Sequence, residues 1–426
     1  MAALGTPAGE LRALAEQLKA AEEQAAGLPG CLATVKRMTS LFRDEAYREA
    51  ATESLFQKFL NILKKTSHDI VCKDTSTAAH LDSYLVLLSE CFRCLRNACV
   101  QCARNQNIMR NLGLIEESLQ LIQLLHKLET DLESLLTAFR CSLQFLGNIA
   151  TGNRDSQNRI WKLAFPSQFL NCINHQDEKI NGYCCMILST CLNSETMKEL
   201  CEENDLNTAL AVLRAYRRHP ESEWMFLIVT NHLLKCPELV KAMYAKLSNQ
   251  ERTMLLELLL SEIGGKNLAV NEELATFLAS CFQEKCQAVL KLASAENHED
   301  EEALMTVRLL DVLCEMTSNT GQLECLQACP RLLEEAVTIL RLTHLSGKQT
   351  TNIFSAIHSA TGPEYISHPA VGFKSHLIRL IGNLCYKNKT NQDKVYELDG
   401  IPLILDNCSI DDNNPCILLI APCFCK

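Results

Sequence analysis

The stretch FRCLRNACVQCARNQN, residues 92–107, decides the fold, because its pattern returns as LQFLGNIATGNRDSQN at 143–158 and IRLIGNLCYKNKTNQD at 378–393. Aligned on Asn97, Asn148 and Asn383, each copy carries an apolar residue two positions earlier: Leu95, Leu146 or Ile381. Each also carries a polar triplet further on: Asn105-Gln106-Asn107, Ser156-Gln157-Asn158 and Asn391-Gln392-Asp393. Two copies then show a glycine before an apolar step, at Gly113-Leu114-Ile115 and Gly400-Ile401-Pro402. This order predicts a helical hairpin that repeats. The long helix buries its apolar stripe, the polar triplet is expected to cap the next short helix, and the glycine supplies the sharp turn. One such unit leaves apolar surface exposed, so neighbours must stack. A period of ~40–47 residues marks armadillo and HEAT arrays and would give about nine or ten units here. The predicted fold class is all-α, an armadillo/HEAT-like right-handed helical solenoid.

Working outward, helix-sized apolar segments fill most of the remaining chain. Residues 1–30 read as an amino-terminal helix closed by Gly27 and Pro29, and 31–345 as the repeat array. Leu81 to Arg104, Leu132 to Ala150, Asn181 to Leu192, Met254 to Glu262, Glu301 to Met316 and Ser375 to Tyr386 are the expected long helices. Thr66 to Ala78 is polar and aperiodic and is expected to be a surface loop. Residues 346–374, with Gly347, Gly362, Pro363 and Pro369, are expected to form a mobile insertion. Residues 375–415 form a terminal repeat, followed by a short atypical tail at 416–426. The acidic run Glu299 to Glu302 reads as favourable charge at a helix start.

Composition agrees with this reading. Only 16 Gly and 11 Pro occur in 426 residues, too few for many strand turns, and 47% apolar content allows a continuous core. A formal net charge of −10 with no basic stripe argues against nucleic-acid binding. The 23 cysteines sit inside apolar periodic segments, as at Cys184, Cys185 and Cys191, which suits buried thiols in a reducing compartment. An acidic start without a signal core, and the absence of a ~20-residue apolar run, predict a cytoplasmic protein without a membrane span. The Asn388 and Asn407 glycosylation triplets read as chance.

At each motif, candidate chemistry competes with plain packing. Cys91, Cys94, Cys99 and Cys102 form two CxxC pairs, and zinc would need their sulfurs around one point. On one continuous helix, Cys91 and Cys102 would stand roughly 16 Å apart along the axis, so they read as a core stripe and no metal is expected. Gly265-Lys266-Asn267 and Gly347-Lys348-Gln349 lack the rest of a phosphate-binding loop. Without a nucleophile elbow, a metalloprotease helix or a dinucleotide fingerprint, no catalytic residue, cofactor or enzyme activity is expected. The candidate partner-binding residues are Asn97, Asn148 and Asn383. In armadillo folds the long third helix lines a groove where Asn can hydrogen-bond an extended peptide, and an amide both donates and accepts. The competing reading is that each amide bonds the adjacent repeat.

The segment LIRLIGNLCYKNKTNQDKVYELDGIPLILDNCSIDDNNP, Leu377 to Pro415, resembles the terminal region of the ataxin-ten family. LRNACVQCARNQN and LGNIATGNRDSQN resemble that family's earlier armadillo-type repeats. The resemblance implies a scaffold that binds protein partners and self-associates through its terminal region. It also implies roles in neurite outgrowth, neuronal survival, cytokinesis and at the centrosome or ciliary base, with perinuclear and midbody locations. A nuclear transport adaptor is the alternative, but such receptors repeat a Trp–Asn pattern, and Trp161 and Trp224 fall outside the aligned position. The ending CILLIAPCFCK departs from the family, where another capping helix would be expected. It suggests a truncated or alternatively spliced form with altered self-association, and its last residues make a poor prenylation signal.

Overall fold

Short polar residues open helices where the sequence breaks its apolar pattern. Asn153, Asp177, Asn193, Ser248, Asp300 and Asn388 each accept a backbone N–H from the following turn, satisfying donors that a helix cannot pair internally. The structure, a computed structural model, describes residues 6–23, 28–72, 78–268, 271–294, 297–318, 320–349, 352–354, 368–408 and 414. All regular elements among them are helical. The chain divides into two units, Met1–His232 and Leu233–Lys426.

The first unit opens with α1 (Pro7–Glu23) and α2 (Leu28–Leu41). Successive groups of three follow: α3 (Glu45–Ala50), α4 (Glu53–Cys72) and α5 (Ala78–Cys99), then α6 (Ala103–Asn111), α7 (Leu114–Lys127) and α8 (Glu133–Ala150). The next two groups are α9 (Arg154–Ala164), α10 (Ser167–Ile173) and α11 (Glu178–Cys191), then α12 (Ser194–Leu200), α13 (Leu206–Arg218) and α14 (Glu223–Ile228). The last helix of each group packs on the last helix of the group before, giving a ladder α2–α5–α8–α11–α14. Fully buried Phe92 on α5 and Phe145 on α8 meet at 6.0 Å between ring centroids.

The second unit repeats the arrangement less regularly. It contains α15 (Pro237–Lys246), α16 (Asn249–Gly264), α17 (Glu272–Lys285), a 3-10 segment Cys286–Ala293 and α18 (Glu301–Thr317). It continues with α19 (Thr320–Gln327), α20 (Pro330–Gln349), α21 (Phe373–Cys385), α22 (Lys389–Glu397) and α23 (Gly400–Asp406). Its ladder runs α16–α18–α21. At the start of α18 the acidic run behaves as expected: Asp300 caps the helix, while Glu302 pairs with Lys285 at 2.8 Å and Lys291 at 3.2 Å.

The predicted segmentation needs correction in several places. The polar triplets do not cap the short helices. Asn105 and Gln106, Gln157, and Asn391 and Gln392 lie within them and reach back seven residues to the closing carbonyls of the preceding long helix. Those carbonyls have no partner within their own helix, so a side-chain amide held beside them replaces water. Asn105 also donates to Arg48 O at 2.8 Å and Asn391 to Gln327 O at 3.1 Å, tying each repeat to the one before.

The expected helix Leu81 to Arg104 stops at Cys99 and restarts at Ala103, with Gln101 at φ 50° between. Thr66 to Ala78 is not all loop, because α4 continues to Cys72 with Thr66, Asp69 and Ile70 buried. Pro29 opens α2 rather than closing the first helix, since a first-turn proline loses no helical hydrogen bond. Gly113 takes the left-handed turn at φ 88°, but before Gly400 that turn falls to Asp399 at φ 51°. Gly400 is needed for closeness instead, because a Cβ there would sit 2.7 Å from Val395 Cγ1 and 3.0 Å from Val395 O.

The spacing of the repeats also differs from the one expected. Asn97 and Asn148 lie 51 positions apart, longer than a ~40–47-residue period, because long inner helices and the 128–132 connection lengthen the unit. Of the expected insertion 346–374, residues 346–349 finish α20 and 373–374 open α21, while 350–351 and 355–367 lie outside the described residues. The tail 416–426 also lies outside them.

Candidate functional site

Consecutive ladder helices expose a polar face in the first unit. Asn97 on α5 donates from Nδ2 to Thr39 O of α2 at 3.0 Å, and Asn148 on α8 donates to Arg96 O of α5 at 3.2 Å. Both side chains are half-buried. Each candidate amide therefore spends its donor on the rung before it, as the packing alternative required. Its acceptor is less committed. Asn97 Oδ1 receives only long contacts from the Arg96 guanidinium, at 3.3 and 3.4 Å, and Asn148 Oδ1 has no hydrogen-bond partner among the described residues. Asn383 belongs to the second unit, on α21, and donates to Thr317 Oγ1 of α18 at 3.1 Å.

Long polar side chains one turn before each asparagine complete the face, and the sequence reading missed them. Arg93, Gln144 and Arg379 hold that position. Arg93 pairs with Glu90 at 3.1 Å, Gln144 accepts from Arg96, and Arg379 contacts Glu315 at 3.4 Å and Ser318 Oγ at 2.7 Å. The signal was present, as a polar residue four before the aligned Asn in all three copies. It was hard to weigh because Arg, Gln and Arg share no single chemistry.

Arg140 continues the ladder toward α11, donating to Asp177 Oδ1 at 3.2 Å, while Asp177 also caps α11 through Ile180 N at 2.9 Å. Partial burial works to raise the Asp177 pKa, but the Arg140 guanidinium and the Ile180 N–H outweigh it and hold the carboxyl below its ordinary value. A depressed carboxylate contributes stability above its unfolded pKa of about 3.9, and loses it as pH falls through the lower folded value. Asp177→Asn keeps a capping oxygen and loses the charge. It is expected to cost about 1–2 kcal/mol at pH 7. That gap should narrow toward pH 3, measured by paired denaturation curves; an equal gap at both pH values would remove the electrostatic account.

The cysteine pairs behave as core. Cys91, Cys94 and Cys99 are buried, burial pushes the Cys94 and Cys99 thiols up, and Cys99 Sγ lies 3.6 Å from Met109 Sδ. Cys102 sits beyond the helix break, at the start of α6. Gly265-Lys266 is a helix-ending turn, and Gly347-Lys348-Gln349 is the last turn of α20. Asn388 caps α22 and buried Asn407 donates to Leu403 O at 2.8 Å, so both triplet asparagines have structural work. No described helix is long and apolar enough to cross a membrane.

Three-helix groups whose last helices stack into a polar-faced ladder define an armadillo-like helical repeat protein, a class whose stacked surface serves to bind partners. A bovine protein, ataxin-10, is 55% identical over 392 residues, covering 90% of this chain and 82% of that protein. Ataxin-10 of Xenopus tropicalis is 53% identical, covering 89% and 80%. The chain belongs to the ataxin-10 family. Residues 373–423 match a homo-association domain described as the spinocerebellar ataxia type 10 protein domain. Among solved structures, an engineered protein aligns over 97% of this chain at 12% identity and TM-score 0.44, and SYS-1 over 98% at 11% and 0.39.

Proposed function

We propose that this protein is a non-enzymatic scaffold whose first unit holds an extended segment of a protein partner along the α5–α8 face, and whose terminal repeat mediates self-association. The carrying observation is the polarity left on the ladder: Asn97 and Asn148 are anchored through their donors, so their oxygens can accept N–H groups from a bound backbone. The nuclear transport reading gains no such support. Trp161 is buried on α9, stacked on Phe165 at 4.1 Å and bonded to Glu199, and exposed Trp224 on α14 is the one tryptophan on a ladder helix among the described residues, so no repeated Trp–Asn pattern forms. In this reading the scaffold acts in the cytoplasm, including perinuclear, midbody and centrosomal or ciliary-base sites. It serves neurite outgrowth, neuronal survival and cytokinesis, as the family resemblance implies.

Replacing both Asn97 and Asn148 by alanine tests the groove. The double variant is expected to lose about 1–3 kcal/mol of stability from the two inter-repeat bonds and yet remain folded at 25 °C. Proximity labelling in cells should then show selective loss of a subset of partners. An unchanged partner set in the folded variant would remove the groove from the proposal.

Self-association has its own test. Tyr396 is 73% exposed and Leu405 60% exposed on α22 and α23, within the matched domain. Exposed apolar groups of this kind suit a subunit contact. Tyr396→Ser with Leu405→Ser should shift the mass in light scattering toward the monomer without a lower melting temperature; an unchanged mass would place the contact elsewhere.

A further inference from the structure

Two consecutive groups of the first unit bring three metal-ligating side chains together: Glu178, His219 and Glu221. Glu178 opens α11, while His219 and Glu221 lie in the turn between α13 and α14. That turn is held from several sides. α13 packs on α10 and α14 on α11. Arg218 Nη2 donates to Ile173 O at 3.4 Å, Ser222 N donates to His219 O at 3.0 Å, and Pro220 restricts the backbone between the two turn residues. One ligand atom from each of the three residues lies within 4.8 Å of the other two. The His219 side chain is only 24% exposed, yet its imidazole makes no hydrogen bond among the described residues. Glu221 Oε1 stands 3.9 Å from Nδ1, beyond hydrogen-bond reach. Among the described residues, neither carboxylate receives a hydrogen bond from another group. Two carboxylates this close repel one another, and a half-buried imidazole without a partner has given up its water for nothing. A single cation between the three groups relieves both conditions.

We propose that Glu178, His219 and Glu221 bind one zinc ion, which ties the first turn of α11 to the turn before α14 and so links two consecutive rungs of the ladder. One imidazole with two carboxylates suits zinc, whereas calcium and magnesium favour oxygen ligands alone. Ligands ~2.0–2.2 Å from one zinc stand roughly 3.4 Å apart in a tetrahedron. Small rotations of Glu178 and Glu221, both exposed, close the difference. Three protein ligands leave a fourth position for water. The CxxC cysteines of α5 are strung along one helix, but these ligands come from a helix start and a turn that packing sets beside it. No spacing motif announces the site, because Glu178 belongs to a different group from His219 and Glu221.

Cobalt(II), a spectroscopic stand-in for zinc, tests the site in the full, reduced chain near pH 7.5, where a neutral imidazole can bind metal. Wild type should take up one more equivalent than His219→Ala, Glu178→Gln or Glu221→Gln. The difference spectrum should lack the intense charge-transfer band of thiolate ligands, so cysteines elsewhere in the chain cancel out. Each change should weaken zinc binding about tenfold or more, since loss of outer partners alone weakens metal sites about 10–100-fold. Zinc should raise the melting temperature of wild type, reversibly with a chelator, and should not raise that of the variants. Circular dichroism checks that the variants fold. A wild-type measurement decides the matter even if one misfolds: zinc should protect His219 from diethyl pyrocarbonate, while His232, in the same tryptic peptide 219–235, keeps its rate. Equal cobalt uptake by wild type and His219→Ala would overturn the site, as would a thiolate band in the difference spectrum or an unprotected His219. Loss of uptake in His219→Ala with none in Glu178→Gln would rule out the link between rungs.

Discussion

Aspartate in place of Asn181 is expected to destabilise the first unit more than alanine does, and increasingly so as pH rises. Asn181 is fully buried on α11 and donates from Nδ2 to Cys172 O at 3.1 Å, Ile173 O at 2.8 Å and His175 O at 2.8 Å. These carbonyls close α10 and the turn after it, where helical partners run out. Alanine leaves them dry and unpaired, a cost of about 1–3 kcal/mol. Aspartate removes the donors and places a carboxylate among three carbonyl oxygens, a cost of about 3–5 kcal/mol for an uncompensated buried charge. Protonation would restore one O–H donor, so the folded pKa of Asp at this position is raised by its surroundings. The sign follows: the penalty is small below the unfolded value of about 3.9, then grows with pH until the raised folded pKa is passed. Denaturation curves at pH 5 and pH 7.5 should show a widening gap for Asn181→Asp and a constant one for Asn181→Ala. A constant gap for both would mean that the carboxylate reaches water.

Phe145→Ala is expected to cost about 3–5 kcal/mol, the range for emptying an aromatic site in a packed core. The ring is fully buried and meets Phe92 across the α5–α8 contact, so the change strikes the joint between two ladder rungs. Phe145→Leu keeps much of the volume and should cost markedly less. A double-mutant cycle with Phe92→Ala should return a coupling of about 0.5–1.5 kcal/mol for the ring pair. Additive losses, with no coupling, would show that the two rings act only as independent fillers.

The family fold was legible because its signal is local and repeated. Leu95, Leu146 and Ile381 return at the same distance from Asn97, Asn148 and Asn383, and all three apolar residues are buried. The helix Glu133–Ala150 falls within a residue of its predicted bounds. The break at Val100-Gln101-Cys102 was missed because no Gly or Pro marks it; the left-handed turn is taken by Gln101. Thr66 and Asp69 look like loop residues in sequence, but α4 carries both into the protein, where Tyr84 Oη donates to Asp69 Oδ2 at 3.3 Å.

The helical class, the repeat and the aligned asparagines are readable along the chain, because apolar spacing and polar breaks are set by near neighbours. What those polar groups do depends on contacts between repeats. Gln106 reaches Asn148 O at 2.9 Å and Asn97 reaches Thr39 O at 3.0 Å, partners 42 and 58 residues away. An amide carries the same donors and acceptor whether it caps a helix, joins two repeats or awaits a ligand. The backbone that stacking brings alongside it selects among these, and that backbone comes from another repeat.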